Sequence, residues 1–406
     1  MSAVAEWQET TIGALASVSR GASPRPIASS RWFDSGSAVR WVRIADVNRS
    51  NGRTLLTTTQ ALSPDGIARS RYLDSGTLIM SIAATVGLPV ITGVPTCIHD
   101  GFVALENLKV DQRFLLYLLK ASEGKLRESG QSGSQMNVNT DIVKGLHVCI
   151  PVDLKEQERI AAALWDIDDL IATLERLIAK KQAIKQGMMQ QLLTGRTRLP
   201  GFDDEWASTT LGELGTFLKG KGVKRDDVRA TGTPCIRYGE LYTEFIDYTA
   251  LTRSFVNRDV ASTALPIRYG DLLFAGSGET RAEIGMCVAY VGGVPAVAGG
   301  DIVVLRGDTF NPVYLATLAN SPAVANQKAR AGQGDAVVHI SGRALAAVSV
   351  SLPSRPEQDA IAEVLIDSDR EIATLRGRLQ KAHAIKTGMM QQLLTGRTRL
   401  PVETVS

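Results

Sequence analysis

The stretch IKQGMMQQLLTGRTRLP occupies residues 184–200, and IKTGMMQQLLTGRTRLP occupies residues 385–401. Sixteen of the seventeen positions are identical, and 201 residues separate the copies. At the same offset, EQERIAAALWDID (156–168) faces EQDAIAEVLIDSD (357–369), and LIATLERLIAKKQA (170–183) faces EIATLRGRLQKAHA (371–384). Near the start, EWQETTIGAL (6–15) is matched by EWASTTLGEL (205–214), now at an offset of 199. Between these anchors the halves agree only in outline. A unit of about 200 residues therefore occurs twice, a pseudo-dimer in one chain. A solenoid would need short units in three or more copies.

The constant parts carry a helical pattern. Apolar residues recur at steps of four and three as Ile160, Leu164, Ile167, Ile171, Leu174 and Ile178, and the row continues through Lys181 and Lys185 to Met188 and Leu192. The second copy gives Ile361, Leu365, Ser368, Ile372, Leu375, Leu379, Ala382, Lys386, Met389 and Leu393. This is the seam of a coiled coil. Gly195 and Gly396 stand where a glycine ends a helix, and Pro200 and Pro401 prevent continuation. Each helix of about 38 residues would span about 57 Å. Gly187 and Gly388 fall in mid-helix at a cost of about 1 kcal/mol each relative to Ala, which predicts a close backbone approach there. Two arrangements satisfy the pattern: each helix lying on its own domain, or one helix pairing with the other. The narrow, sustained seam favours the second, in antiparallel pairing about a pseudo-twofold axis.

Composition frames this reading. At 406 residues the chain exceeds one ordinary core, so two domains are expected. Hydrophobic content of 44% and charged content of 21% are those of a folded globular chain. Four cysteines do not make a disulfide framework, which fits a reducing compartment. The start MSAVAEWQETTIGAL lacks a basic segment followed by an apolar run, and no stretch of about 18 apolar residues follows, so a cytoplasmic location is expected.

The net charge of +3 is small, so a nucleic-acid surface would have to come from local clustering. Residues 1–150 hold 15 basic and 12 acidic side chains, and residues 201–350 hold 14 and 16. Yet Arg20, Arg25, Arg31, Arg40, Arg43, Arg49 and Arg53 lie within one segment containing only Asp34 and Asp46 as acids. At the equivalent place in the second half, Lys219, Lys221, Lys224, Arg225, Arg229 and Arg237 face Asp226 and Asp227. A single charge run is ordinarily a solvated face. Two at matching places in divergent domains suit phosphate contact, with nearby Arg, Asn and Gln free to read base edges.

The domains read as mixed. Strands are predicted at WVRIADV (41–47), TLIMSIA (77–83), DLLFAG (271–276), DIVVLRG (301–307) and AVSVSLP (347–353). Short helices are predicted at RFLLYLLKAS (113–122) and VYLATLANS (313–321), and polar loops at GQSGSQMNVN (130–139) and AGQGDAVVHI (331–340). Two constellations invite catalytic or metal readings. FAGSG (274–278) with NPVY (311–314) has the look of a methyltransferase pair, but Val313 stands where a second proline belongs. CIH (97–99) and HVC (147–149) would face a zinc ion only if they were adjacent strands. Buried cysteine is the commoner explanation, and no metal site is assigned.

The order of variable domain, EQ-started helix, variable domain and second such helix resembles the specificity subunit of type I restriction-modification enzymes. The carriers are IPVDLKEQ (150–157) with LPSRPEQ (352–358), the paired MMQQLLTGR ends, and WVRIADV (41–47) with CIRYGEL (235–241). RYGDLLFAGSGETRAEIG (268–285) is similar to the family's strand–glycine segment, whereas SGTLIMSIAATVG (75–87) keeps the frame without the glycines. The resemblance implies an α+β fold with target recognition domains at 1–153 and 201–354. Helices at 154–200 and 355–401 form an antiparallel coiled coil, and 402–406 is a tail. It implies a non-catalytic chain that reads a bipartite, asymmetric site in double-stranded DNA. It also implies two adenine methyltransferase subunits using S-adenosylmethionine and two restriction subunits using ATP and Mg, with no cofactor in this chain. The helix length caps the separation of half-sites at about 17 base pairs. Candidate DNA contacts are Arg20, Arg25, Arg43, Asn48, Arg49, Arg53, Gln135, Asn137, Lys219, Lys221, Lys224, Arg225, Arg237 and Arg281. Candidate partner contacts, duplicated yet off the seam, are Gln190, Gln191, Arg196 and Arg198 with Gln391, Gln392, Arg397 and Arg399. A self-contained adenine methyltransferase and a protein-binding coiled-coil scaffold are the alternatives.

Overall fold

In the computed structural model, which describes residues 6–50, 52–129, 138–334 and 337–401, two helices of 39 residues run Leu154–Leu192 and Arg355–Leu393. The chain folds as two compact units that do not follow its linear order. One comprises Met1–Ile178 with Leu375–Ser406, and the other comprises Ala179–Thr374. Each unit thus contains one mixed domain, the start of the helix that follows it, and the end of the other helix.

In the first unit a five-stranded sheet orders Ser17–Arg20, Phe102–Glu106, Leu78–Ser81, Pro89–Thr92 and Thr54–Leu55. A four-stranded sheet orders Gln60–Ala61, Arg40–Val42, Thr96–Ile98 and Arg71–Leu73. The second unit repeats both. Its five-stranded sheet orders Thr216–Lys219, Ile302–Arg306, Leu272–Ala275, Cys287–Tyr290 and Tyr248–Thr249, and its four-stranded sheet Ser254–Val256, Thr233–Ile236, Ala296–Ala298 and Leu265–Ile267. In each unit the first strand pairs antiparallel with the strand that leads into the long helix: Trp7–Thr11 with His147–Pro151, and Ala207–Thr210 with Ser349–Leu352. This pairing brings the two ends of each domain together beside the helix start.

The expected helices at 113–122 and 313–321 form as Gln112–Ala121 and Pro312–Ala319. One expected strand is corrected. WVRIADV keeps strand geometry only through Val42, and Ile44–Arg49 is a short helix. The carboxylate of Asp46 accepts the Arg43 backbone N–H at 2.9 Å, which turns the chain out of the sheet.

The seam is also corrected in part. Helix-on-helix packing is antiparallel: Ile171, Leu174 and Ile178 cluster with Leu375 and Ala382, flanked by Ile167 and Leu379. Towards its ends, however, the seam merges into a domain core. Ile160 and Leu164 pack with Leu393 and Leu394 among the apolar residues of the first domain, and Ile361 and Leu365 pack with Leu192 and Leu193 in the second. Both arrangements considered for the sequence are therefore present, at different heights along one helix. The lysines of the seam row are paired with acids of the facing helix. Lys386 reaches Asp168 and Lys185 reaches Asp369, each at 2.6 Å, and Lys181 reaches Glu371 at 2.8 Å. Equal ion pairs at equivalent places fix which residues of the two helices stand opposite each other.

The mid-helix glycines are not where the backbone is approached. A Cβ at Gly187 or Gly388 would meet no heavy atom within 4 Å. The terminating glycines do act as expected: Gly195 and Gly396 have φ of +68° and +70°. Among the described residues no helix is long and apolar enough to cross a membrane.

Leu164 is fully buried between helix and domain, so Leu164→Ala should cost about 2–5 kcal/mol in chemical denaturation. The second core also buries a lysine. Lys328 is 2% exposed, donates to the Gly285 carbonyl at 2.6 Å, and is pushed down to about 8 by burial. Between about pH 8 and the ordinary lysine value of about 10.5, the unfolded chain then binds more protons than the folded one. Its contribution to stability accordingly rises with pH across that window, by up to about 3 kcal/mol. Lys328→Met should lack this rise when the two stability-versus-pH curves are subtracted.

Candidate nucleic-acid interface

Two local constructions recur in both units, one at the helix starts and one at the basic segments. The first begins with EQ. Gln157 is buried, accepts the Asp111 backbone N–H through Oε1 at 2.9 Å, and donates through Nε2 to the Pro151 carbonyl at 2.8 Å. Gln358 does the same to the Asn311 N–H at 3.0 Å and the Pro353 carbonyl at 3.0 Å. The glutamine therefore ties the helix start to the domain's short helix, whose own N-cap is Asp111 or Asn311. The neighbouring acid takes the end of the other helix. Glu357, 1% exposed, receives Arg198 in a two-bond fork at 2.6 and 2.7 Å. Glu156 stands 3.9 Å from Arg399, a looser version of the same contact. Trp206 lies against the Gly195 turn and Trp7 against the Gly396 turn. The turns are closed by Thr197 on Gln191 and by Thr398 on Gln392.

These contacts change the reading of the duplicated, off-seam residues. Gln191, Gln392, Arg198 and Arg399 have work inside their own units, so their duplication does not by itself require a partner. Gln190, Arg196, Gln391 and Arg397 are exposed.

The second construction carries the basic residues. In each domain a strand delivers an arginine whose backbone N–H is taken by a buried carboxylate three residues on: Arg43 by Asp46 at 2.9 Å, and Arg237 by Glu240 at 2.8 Å. Sequence reasoning missed these acids, although Arg-x-x-Asp and Arg-x-x-Glu stand within WVRIADV and CIRYGEL. Asp46 also accepts from Arg49 at 2.7 Å and from the Thr59 N–H and hydroxyl at 3.1 Å, and Arg43 donates to Gln60 at 2.7 Å. Arg20 and Arg25 converge on Asp100, through its carbonyl at 2.7 Å and its carboxylate at 3.1 Å. Asn48 and Arg49 are exposed on the short helix. Lys219, Lys221, Lys224 and Arg225 are exposed along the second basic segment. Arg281 donates to the Gly332 and Gly334 carbonyls at 2.9 and 3.1 Å, tying its loop to a neighbouring one.

Arg53 is a correction. It is 7% exposed, pairs with Asp169 at 2.6 Å, and stacks on Trp165 at 4.6 Å. Its charge serves the contact between domain and helix, so it is no free DNA contact. Gln135 and Asn137 lie outside the described residues.

The catalytic and metal readings lose their geometry. Asn311 caps its helix, accepting from the Tyr314 N–H at 3.0 Å and donating to Asp359 at 2.8 Å, so its amide is held in a structural role at the helix start. FAGSG is buried strand and turn. CIH lies in the four-stranded sheet, whereas HVC pairs with the first strand, so they are not adjacent. Among the described residues no group of three or more His, Cys, Asp or Glu could hold a metal ion.

Gln358→Leu roughly keeps the side chain's size and leaves a part-buried N–H and a buried carbonyl without this partner. It should destabilise the second unit by about 1–3 kcal/mol for each group left unmade, measured by denaturation.

Known proteins share this architecture. Residues 5–186 match the family model of the type I restriction modification DNA specificity domain. The chain is similar to the type I restriction enzyme MjaVIII specificity subunit of Methanocaldococcus jannaschii, at 24% identity over 315 residues, 73% of this chain and 72% of the relative. Among solved structures, its fold is that of the type I restriction-modification S subunit from M. genitalium, with a TM-score of 0.62 at 15% identity, covering 100% of this chain and 98% of the other. The HsdS subunit from Thermoanaerobacter tengcongensis gives a TM-score of 0.51 at 17% identity, covering 97% of each chain. With the repeated domains, the EQ-started helices and these relatives in agreement, residues 5–186 carry a type I restriction modification DNA specificity domain, and the chain as a whole is similar to type I restriction-modification specificity subunits.

Proposed function

We propose that this chain selects the DNA sequence on which a type I restriction-modification complex acts, each mixed domain reading one half of a bipartite, asymmetric duplex site. The observation that carries this reading is a pair of domains alike in architecture and unlike in side chains. Both have the same two sheets in the same strand order and the same arginine-on-carboxylate turn. The residues around that turn differ, as two readers of different sequences require. The exposed basic residues supply sequence-independent attraction to phosphate, and groups facing base edges supply selection.

The chain works by recruitment. Methyl transfer from S-adenosylmethionine belongs to methyltransferase subunits, two per chain, and ATP- and Mg-dependent cleavage belongs to two restriction subunits. Exposed Gln190, Arg196, Gln391 and Arg397, identical in two places, suit two copies of one partner. The helix-capping role of Asn311 and the burial of FAGSG speak against methyl transfer by this chain itself.

The test is selection from a random duplex library by the chain assembled with its methyltransferase partner. The expected result is a two-part motif with unlike halves and a fixed gap. Affinity should fall steeply between 50 and 200 mM salt, by about a thousandfold or more if six or more phosphates are neutralised. Recovery of no motif from the assembled complex would overturn the reading.

A further inference from the structure

The two arginine-on-carboxylate turns are alike in backbone and unlike in what their guanidinium groups do. In the first domain the arginine Nε and the acid are both engaged. Arg43 donates through Nε to Gln60 at 2.7 Å, and Asp46 is filled by Arg49 and Thr59. In the second domain the guanidinium is nearly uncommitted. Its contact is a single 3.4 Å approach of Nη2 to Glu240, and its Nε is buried without a partner. Glu240 is itself anchored, because it also takes the Arg237 N–H at 2.8 Å and the hydroxyl of Ser254. The arginine is thus fixed at its base, half-buried along its stem and open at its tip.

It opens into a groove whose charged and aromatic lining is Arg225, Arg237, Tyr238, Glu240, Glu244 and Arg253. Tyr238 is 43% exposed. Arg253 is exposed and its approach to Glu244, at 4.0 Å, is loose. The basic loop on one wall passes through Val223, whose φ of +54° is uncommon for a β-branched residue and sets the direction of Lys224 and Arg225. A surface with three arginines, an exposed ring and a preset loop fits a polyanion that also presents flat, hydrogen-bonding edges. A duplex with its base edges open in the major groove has this chemistry.

We propose that Arg237 is a base-reading residue of the second half-site, taking the O6 and N7 of a guanine from this groove. Arg225 and Arg253 hold the adjoining phosphates, and Tyr238 packs against the sugar–base edge. Arg43, at the equivalent place, has its Nε held by Gln60 at 2.7 Å. This inference rests on the function proposed above and adds to it the residue and the base. The paired fork explains why an arginine with an anchored stem and a free tip stands here, where a lysine would deliver charge without a bidentate match.

The experiment compares the motif recovered from a random duplex library by the wild-type complex with those of Arg237→Lys and Arg237→Gln. Thermal unfolding of each assembled complex confirms folding. Arg237→Lys keeps the charge and should lose about tenfold or more of the preference for one guanine in one half of the motif. Arg237→Gln should move that position from guanine towards adenine, the base a glutamine side chain pairs with. The other half of the motif should be unchanged in both and serves as the internal control. An unchanged motif in both variants, or an equal loss of affinity for every sequence, overturns the inference and leaves the wild-type motif standing. A wild-type complex with no motif overturns the proposed function and this inference together.

Discussion

A buried glutamine at the first turn of each long helix, with a buried glutamate beside it, is the constraint from which the rest of each unit is assembled. Gln157 and Gln358 satisfy the N–H that opens the domain's short helix and the carbonyl that closes its last strand. The carbonyl is buried and the N–H is partly buried, and a backbone polar group shut off from water without a partner is costly, so the helix start has one position relative to its domain. The glutamate then accepts the basic turn at the end of the other helix, tightly at Glu357 and more loosely at Glu156. One dipeptide therefore joins three pieces of chain far apart in sequence. The apolar seam supplies the free energy of this packing, and the EQ pair with the Lys–Asp pairs supplies its register.

The same logic explains how the chain tolerates divergence. Everything that must stay constant lies at the helices and their sockets: the glycine turns, the tryptophans behind them, the arginines that follow, and the EQ pair. What faces away from that frame is free to change while the sheets keep their order. The arginine-on-carboxylate turns show this at a single position. The backbone geometry is kept, whereas the acid differs by one methylene and the guanidinium Nε is held by Gln60 in one domain and has no partner in the other. Divergent side chains on a repeated frame are what reading two unlike half-sites demands, and they argue against a scaffold with two equivalent faces.

Much of this is legible in the sequence. The 201-residue offset exposed the duplication, the four-and-three spacing exposed the helices, and the φ-positive glycines fell where the pattern ended. Other features were not legible, for identifiable reasons. Arg53 reads as one more arginine in a basic run, because Trp165 and Asp169, which hold it, lie more than a hundred residues away. WVRIADV has the composition of a strand, and only the capture of the Arg43 N–H by Asp46 bends it into a helix. The ends of the seam look like coiled coil throughout, since periodicity reports which face is buried and not what covers it. Gly187 and Gly388 look like sites of close approach and have open space beside them. Duplicated Arg198 and Arg399 look like partner contacts until Glu357 and Glu156 are placed opposite them.

The central claim is that each domain carries its own half of the target and that the frame treats the two domains alike. It is tested most directly by replacing residues 201–354 with residues 1–153, leaving both long helices in place, and recovering the motif of the assembled complex. The expected result is that the two halves of the motif become the same sequence while the gap between them is kept. A motif that stays asymmetric, or one whose first half also changes, would contradict it.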